Sequence, residues 1–232
     1  MTYVVSNLHG HFEEFKRLLQ TILFHNDRDI LYILGDIVDY GPESMELIND
    51  LSVRLNVYAI AGEHDYTAAR MLTEFEQMQG GKAPSPDFMQ AMSDWIHDGG
   101  QPTMEGFREL DADAREGVLD YLTDLPLYEE VTVKGRTYLL VHAGIVDFYP
   151  DMTVEDLDDL GPEDFFTEAL DPNAAYFDDM TVIVGHTPTC EVKGGDNHIL
   201  RGKGSIFMDC GLGRGGRLGC LRLEDGEEFY VE

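Results

Sequence analysis

From residue 3 to residue 62 the chain passes through three apolar, β-branched runs with segments of helical period between them. YVVSN (3–7) comes first, followed by HFEEFKRLLQTIL (11–23), which sets Phe12, Phe15, Leu18, Leu19 and Ile22 on one helical face. DILYILGDIV (29–38) is the second run. PESMELINDL (42–51) then offers Pro42 as a first-turn helical residue, and NVYAIAG (56–62) is the third run. This alternation predicts a parallel sheet with right-handed crossovers. A sheet of that kind gathers its chemistry at the C-terminal ends of its strands.

The pattern changes over residues 66–126. YTAARMLTEFEQM, SPDFMQAMSDWIHDGG and DADAREGVLDYLTDL have helical period and are separated by Gly and Pro breaks, which predicts a helical insertion with Trp95 as a packing anchor. LYEEVTVKGRTYLLVHAG then reads as a hairpin turning at Lys134-Gly135. MTVIVGHT, GSIFMDCG, CLRLED and EFYVE supply further strands, so the whole of 1–232 is expected to form one α/β domain with two sheets.

Composition narrows the partners. The net charge of −29 argues against a nucleic-acid ligand, which demands Lys and Arg for its phosphates. No apolar run approaches the ~18 residues of a membrane span, and the N-terminus has no secretory pattern. Cys190, Cys210 and Cys220 are odd in number and lack metal-type spacing, so they read as reduced thiols of a cytoplasmic protein.

Five of the apolar runs end in polar clusters: SNLHGH, LGDIVDYG, AGEHD, LVHAG and IVGHTPT. Each brings at least one His or Asp to a strand end: His9, Asp36, His64, His142 and His186. Burying so many polar groups is costly unless a cation gathers them. Mixed imidazole and carboxylate donors suit Mn, Fe or Zn better than Ca.

These blocks, in this order, resemble the signature blocks of the calcineurin-like metallophosphoesterases, and most nearly those of the bacterial serine/threonine phosphoprotein phosphatases and symmetric diadenosine tetraphosphate hydrolases. The resemblance runs from Tyr3 to the terminal GGRLGCLRLEDGE. It implies a four-layer α/β sandwich of two mixed sheets flanked by helices, with two divalent metal ions, manganese first among them. One metal would be held by Asn7, His9 and Asp36, the other by Asp36, Glu63, His142 and His186. Hydroxide between the metals would attack phosphorus in line. His64 would protonate the leaving oxygen, steered by Asp65. The substrate would be a phosphorylated protein or small molecule.

The chain departs from the family pattern at telling places. Asn7 stands where Asp is usual and Glu63 where Asn is usual, which keeps two carboxylates among the ligands but moves one between metals. Asp39-Tyr40-Gly41 replaces Asp-Arg-Gly, so a bidentate phosphate clamp is lost at Tyr40. Between Gly144 and Gly185 there is no Lys or Arg, where a further phosphate-binding Arg is usual; twelve acids stand there instead. Arg214, in GLGRGGRLGC, is the candidate substitute clamp, while Arg217 matches a structural Arg of that strand. The expected function is two-metal hydrolysis of phosphomonoesters with weakened activity. The alternatives are a pseudophosphatase that binds a partner and a dinucleotide polyphosphate hydrolase.

Overall fold

The computed structural model describes residues 1–149 and 151–232. The first sheet is ordered β10-β9-β1-β2-β3, built from Glu228–Val231, Leu218–Arg222, Thr2–Val5, Ile30–Ile33 and Val57–Ala59. The second is ordered β4-β5-β6-β8-β7, from Tyr128–Val133, Arg136–Val141, Met180–Val184, Ser205–Phe207 and Leu200–Arg201. β1, β2 and β3 are mutually parallel, as are β5, β6 and β8; both sheets are mixed because β9 runs antiparallel to both β1 and β10, β4 to β5 and β7 to β8.

The strand pleat decides the layers. Tyr3 and Val5 face the helices with Leu31 and Ile33, whereas Val4 between them joins Leu34, Leu140, Ile183 and Ile206 in the core between the two sheets. Each such fully buried aliphatic contributes about 1.5–3 kcal/mol. The helices α1 (Phe12–Thr21), α2 (Ser44–Ser52), α3 (Glu63–Gln79), α4 (Phe88–Trp95), α5 (Gln101–Glu109) and α6 (Ala112–Thr123) pack on the first sheet's side. The outer face of the second sheet is covered differently. Two 3₁₀ turns, Glu155–Asp159 and Pro162–Phe165, bury Leu157, Phe165, Phe166 and Leu170 against Leu139, Val141, Val182 and Phe207. The Lys134-Gly135 turn has both residues at positive φ, which matches the strand twist of a two-residue hairpin.

Several local expectations shift. The second helix begins at Ser44, so Pro42 lies ahead of it rather than in its first turn. The insertion starts at Glu63 instead of 66, which turns Glu63, His64 and Asp65 into the first turn of α3. α5 was hidden by Gly99-Gly100, which reads as a break; the structure passes through it as a kinked π-type turn from Ile96 to Gly100.

Candidate active site

The polar clusters meet where the two sheets present their C-terminal strand ends side by side. Asn7 and His9 follow β1. Asp36, Asp39 and Tyr40 follow β2, Glu63 and His64 open the helix after β3, and His142, His186 and Asp209 follow β5, β6 and β8. Backbone bonds stitch these loops together: the His9 N–H donates to the Asp36 carbonyl at 2.8 Å, and the Gly185 N–H to the His142 carbonyl at 2.7 Å. Asn7, His9, Asp36, Asp39, Tyr40 and His186 all have left-handed backbone, with φ between 45 and 73°. That conformation costs a non-glycine residue on the order of 1–3 kcal/mol and is held by its surroundings. Close approach also needs glycine. A Cβ on Gly62 would strike Asp36, and one on Gly185 would strike the Ser6 hydroxyl and the Asn7 carbonyl.

One side of the site is a donor trio. Asp36, His142 and His186 place ligand atoms within 4.8 Å of one another. His142 Nε2 is 3.3 Å from Asp36 Oδ2 and 3.2 Å from His186 Nδ1. The His142 Nδ1–H donates to the Leu34 carbonyl at 2.6 Å, which aims Nε2 inward at Asp36 and His186. Burial raises the Asp36 carboxyl pKa, but the field and hydrogen bond of His142 and the field of His64 outweigh it and hold that group well below the usual range. Two imidazoles and an ionised carboxylate converging in this way fit a divalent transition metal. Glu63 stands beside the trio rather than in it, half-exposed, with Oε2 at 3.9 Å from His186 Nδ1.

Asn7 and His9 are close to Asp36 but arranged otherwise than expected. The His9 Nδ1–H donates to the Val38 carbonyl at 3.1 Å, so Nε2 is bare; burial lowers the His9 pKa to about 4 and keeps the ring neutral. Asn7 does not turn its carbonyl into the site. Its Oδ1 accepts from the His186 backbone N–H at 3.0 Å and from the Ser6 hydroxyl, while its Nδ2 donates to Asp36 Oδ2 at 2.8 Å.

The other side is a histidine with an unexpected partner. His64 Nδ1 donates to Asp39 Oδ2 at 2.8 Å, not to Asp65. Burial lowers the His64 pKa, and the bond to Asp39 with the fields of Asp36, Asp39 and Asp98 outweighs it, carrying the group up to about 9. Asp39 is fully buried and accepts a second bond on the same oxygen, from the Trp95 indole N–H at 2.8 Å. Asp65 instead caps α3: Oδ2 accepts from the Gly62 N–H and Oδ1 from the Ile37 and Val38 N–H groups. Adjacent helical residues do not face one another, which is why Asp65 cannot steer His64.

Tyr40 forms a wall. Its ring meets His9 and His64 edge-on with centroids 4.9 and 5.1 Å apart, and its hydroxyl donates to Asp98 Oδ1 at 3.2 Å. The cleft is lined by Asp36, Glu63, Asp98, Glu191 and Asp209, against one guanidinium, Arg214. Arg214 is exposed at the rim and its Nη1 lies 2.5 Å from Glu191 Oε1. Burial pushes the Asp209 carboxyl up to about 7. None of the twelve acids between Gly144 and Gly185 lines the cleft; that segment covers the second sheet. Asp39 as the partner of His64, Trp95 as a donor, and Asp98 and Asp209 as lining were missed from the sequence. Only Asp39 carried a signal there, inside GDIVDYG.

Two facing sheets with a mixed imidazole–carboxylate centre at their strand ends define the architecture of a metal-dependent phosphoesterase. The calcineurin-like phosphoesterase family model matches residues 2–207, and the chain belongs to that family. Among curated relatives it is 30% identical over 155 residues to the symmetrical bis(5'-nucleosyl)-tetraphosphatase of Paracidovorax citrulli (strain AAC00-1), covering 66% of this chain and 48% of that one. The enzyme of the same name from Acidovorax sp. (strain JS42) is 31% identical over 155 residues, covering 66% and 46%. The aligned region thus spans about half the length of these relatives. A structure provisionally assigned as a diadenosine tetraphosphatase superposes with a TM-score of 0.63 at 18% identity, covering 99% of this chain and 92% of that one. No helix among the described residues is long and apolar enough to cross a membrane.

Proposed function

We propose that this chain is a metal-dependent hydrolase of small-molecule phosphoesters. The observation that carries the reading is the opposition of two devices across one cleft: the Asp36–His142–His186 trio on one side and the His64–Asp39 pair on the other. Asp36, His142 and His186 would hold a divalent cation, which would supply Lewis-acid stabilisation of phosphoryl oxygens and an activated water. His64 supplies the proton that the leaving oxygen needs, through the ring nitrogen opposite Asp39. Asp39 keeps that ring oriented and charged, and Trp95 keeps Asp39 in place. Tyr40 closes the side where an arginine would grip phosphate, and Arg214 at the rim is the cation left to meet the substrate's anionic oxygens.

A second reading, hydrolysis of a dinucleoside polyphosphate, is favoured by the names of the relatives. Five carboxylates around one arginine disfavour a bare polyanion. A polyphosphate that arrives with its own divalent cations avoids that repulsion. A phosphoprotein substrate has no feature of the cleft in its favour beyond the general chemistry.

The test is turnover of p-nitrophenyl phosphate, diadenosine tetraphosphate and a phosphoserine peptide, each with Mn²⁺ and with EDTA. Metal-dependent hydrolysis of the first supports the reading, and a preference for the second selects the polyphosphate. Tight Mn²⁺ binding with no turnover of any of the three refutes catalysis and leaves a binding protein of the same fold.

A further inference from the structure

The amide of Asn7 is held in one orientation by groups that cannot reverse their roles. Its Oδ1 faces the His186 backbone N–H at 3.0 Å, a donor fixed at the end of β6, and it also accepts the Ser6 hydroxyl. Its Nδ2 faces Asp36 Oδ2 at 2.8 Å and lies 3.4 Å from His9 Nε2. Asp36 Oδ2 is the acceptor of that bond, and the His9 Nε2 is bare because Nδ1–H is spent on Val38. Turning the amide over would set N–H against N–H at His186 and carbonyl oxygen against carboxylate at Asp36. A Cβ at Gly185 would collide with the Ser6 hydroxyl and the Asn7 Oδ1, so glycine at that position leaves room for this arrangement.

The –NH₂ group therefore points at both remaining ligands of the first metal that the family pattern implies. A cation among Asn7, His9 and Asp36 would meet donor hydrogens, so these residues do not fit that metal. We infer that the centre is mononuclear. One divalent cation belongs with Asp36, His142 and His186, and the Asn7 amide takes the first metal's place as a fixed, uncharged donor to Asp36. Glu63 lies on the His186 side, where that cation would sit. Asp36 Oδ2 has one lone pair for Asn7 and another for the metal. The inference rests on the trio being a metal centre, as proposed above.

Titrating the chain with Mn²⁺, followed by calorimetry and electron paramagnetic resonance, tests it without reference to activity. The expected result is one Mn²⁺ per chain with an uncoupled six-line spectrum. Asn7→Asp removes the donor and should admit a second Mn²⁺, with at least about 10-fold tighter second-site binding than wild type and an exchange-coupled spectrum. Two Mn²⁺ in the wild type with a coupled spectrum would overturn the mononuclear centre while upholding the metal site. A wild type that binds no Mn²⁺ would overturn both. Asn7→Asp still holding one ion would show that the amide is not what closes the position. Should that variant not fold, the wild-type stoichiometry decides.

Discussion

Which carboxylate serves His64 can be settled by a pair of substitutions with opposite signatures. Asp39 Oδ2 accepts from His64 Nδ1 and from Trp95 Nε1, each at 2.8 Å, and its side chain is fully buried. Asp39→Asn keeps the shape and removes the charge. Each charged hydrogen bond is worth about 1.5–3 kcal/mol, so losing the one to His64 should lower kcat by about 10- to 100-fold. Asp65→Asn leaves His64 alone. Its cheapest orientation keeps the carbonyl oxygen on Ile37 and Val38 and turns the NH₂ against the Gly62 N–H, which loses its acceptor. An unsatisfied buried donor costs about 1–3 kcal/mol, and in a chain of this size that lowers Tm by about 2–10 °C. The assay is Mn²⁺-supported hydrolysis of p-nitrophenyl phosphate at saturation, paired with thermal melting of both variants. Asp39→Asn within about 3-fold of wild-type kcat, or a larger loss of kcat in Asp65→Asn than in Asp39→Asn, would refute the His64–Asp39 pairing as the working acid.

Other expectations follow from the cleft and its surroundings. Tyr40→Arg puts a guanidinium where the hydroxyl now meets Asp98; the two should pair, so kcat/KM should rise less than about 3-fold, and much more once Asp98→Ala is added, as steady-state kinetics of both variants would show. Arg214→Ala should lower kcat/KM by about 10-fold if it meets phosphate oxygens, with Tm unchanged, since its ion pair with Glu191 is exposed and worth little. Native protein at pH 8 should titrate one thiol with Ellman's reagent and denatured protein three: Cys190 is exposed, whereas burial pushes Cys210 up to about 12 and Cys220 higher still. A second fast thiol would mean that the core around Cys210 opens.

The fold was legible because its signals are local and repeated. Each apolar run became a strand and each cluster a strand end, so His9, Asp36, His64, His142 and His186 met as the alternation implied. What was not legible was orientation. Asp65 follows His64 in sequence, yet one residue of helix turns it into the core, and the true partner comes from the strand end before. Asn7 reads equally well as a ligand through oxygen or a donor through nitrogen. The choice is made by a backbone N–H contributed by a residue 179 positions away. Trp95 was expected only to pack, and it does, at 3% exposure, but its indole N–H is also spent on Asp39. Nothing in its own segment announces a partner 56 positions upstream.

That last contact makes the molecule its own spectroscopic gauge. Trp95 is the single tryptophan of the chain, so all indole emission comes from a ring bonded to the carboxylate that holds His64. An excited indole responds to charge at its N–H. Anything that alters the His64–Asp39 pair, whether an anion drawn into the cleft or a substitution within it, must therefore change the colour or yield of that light. Events in the cleft can be followed in untagged protein by watching a buried residue outside its lining.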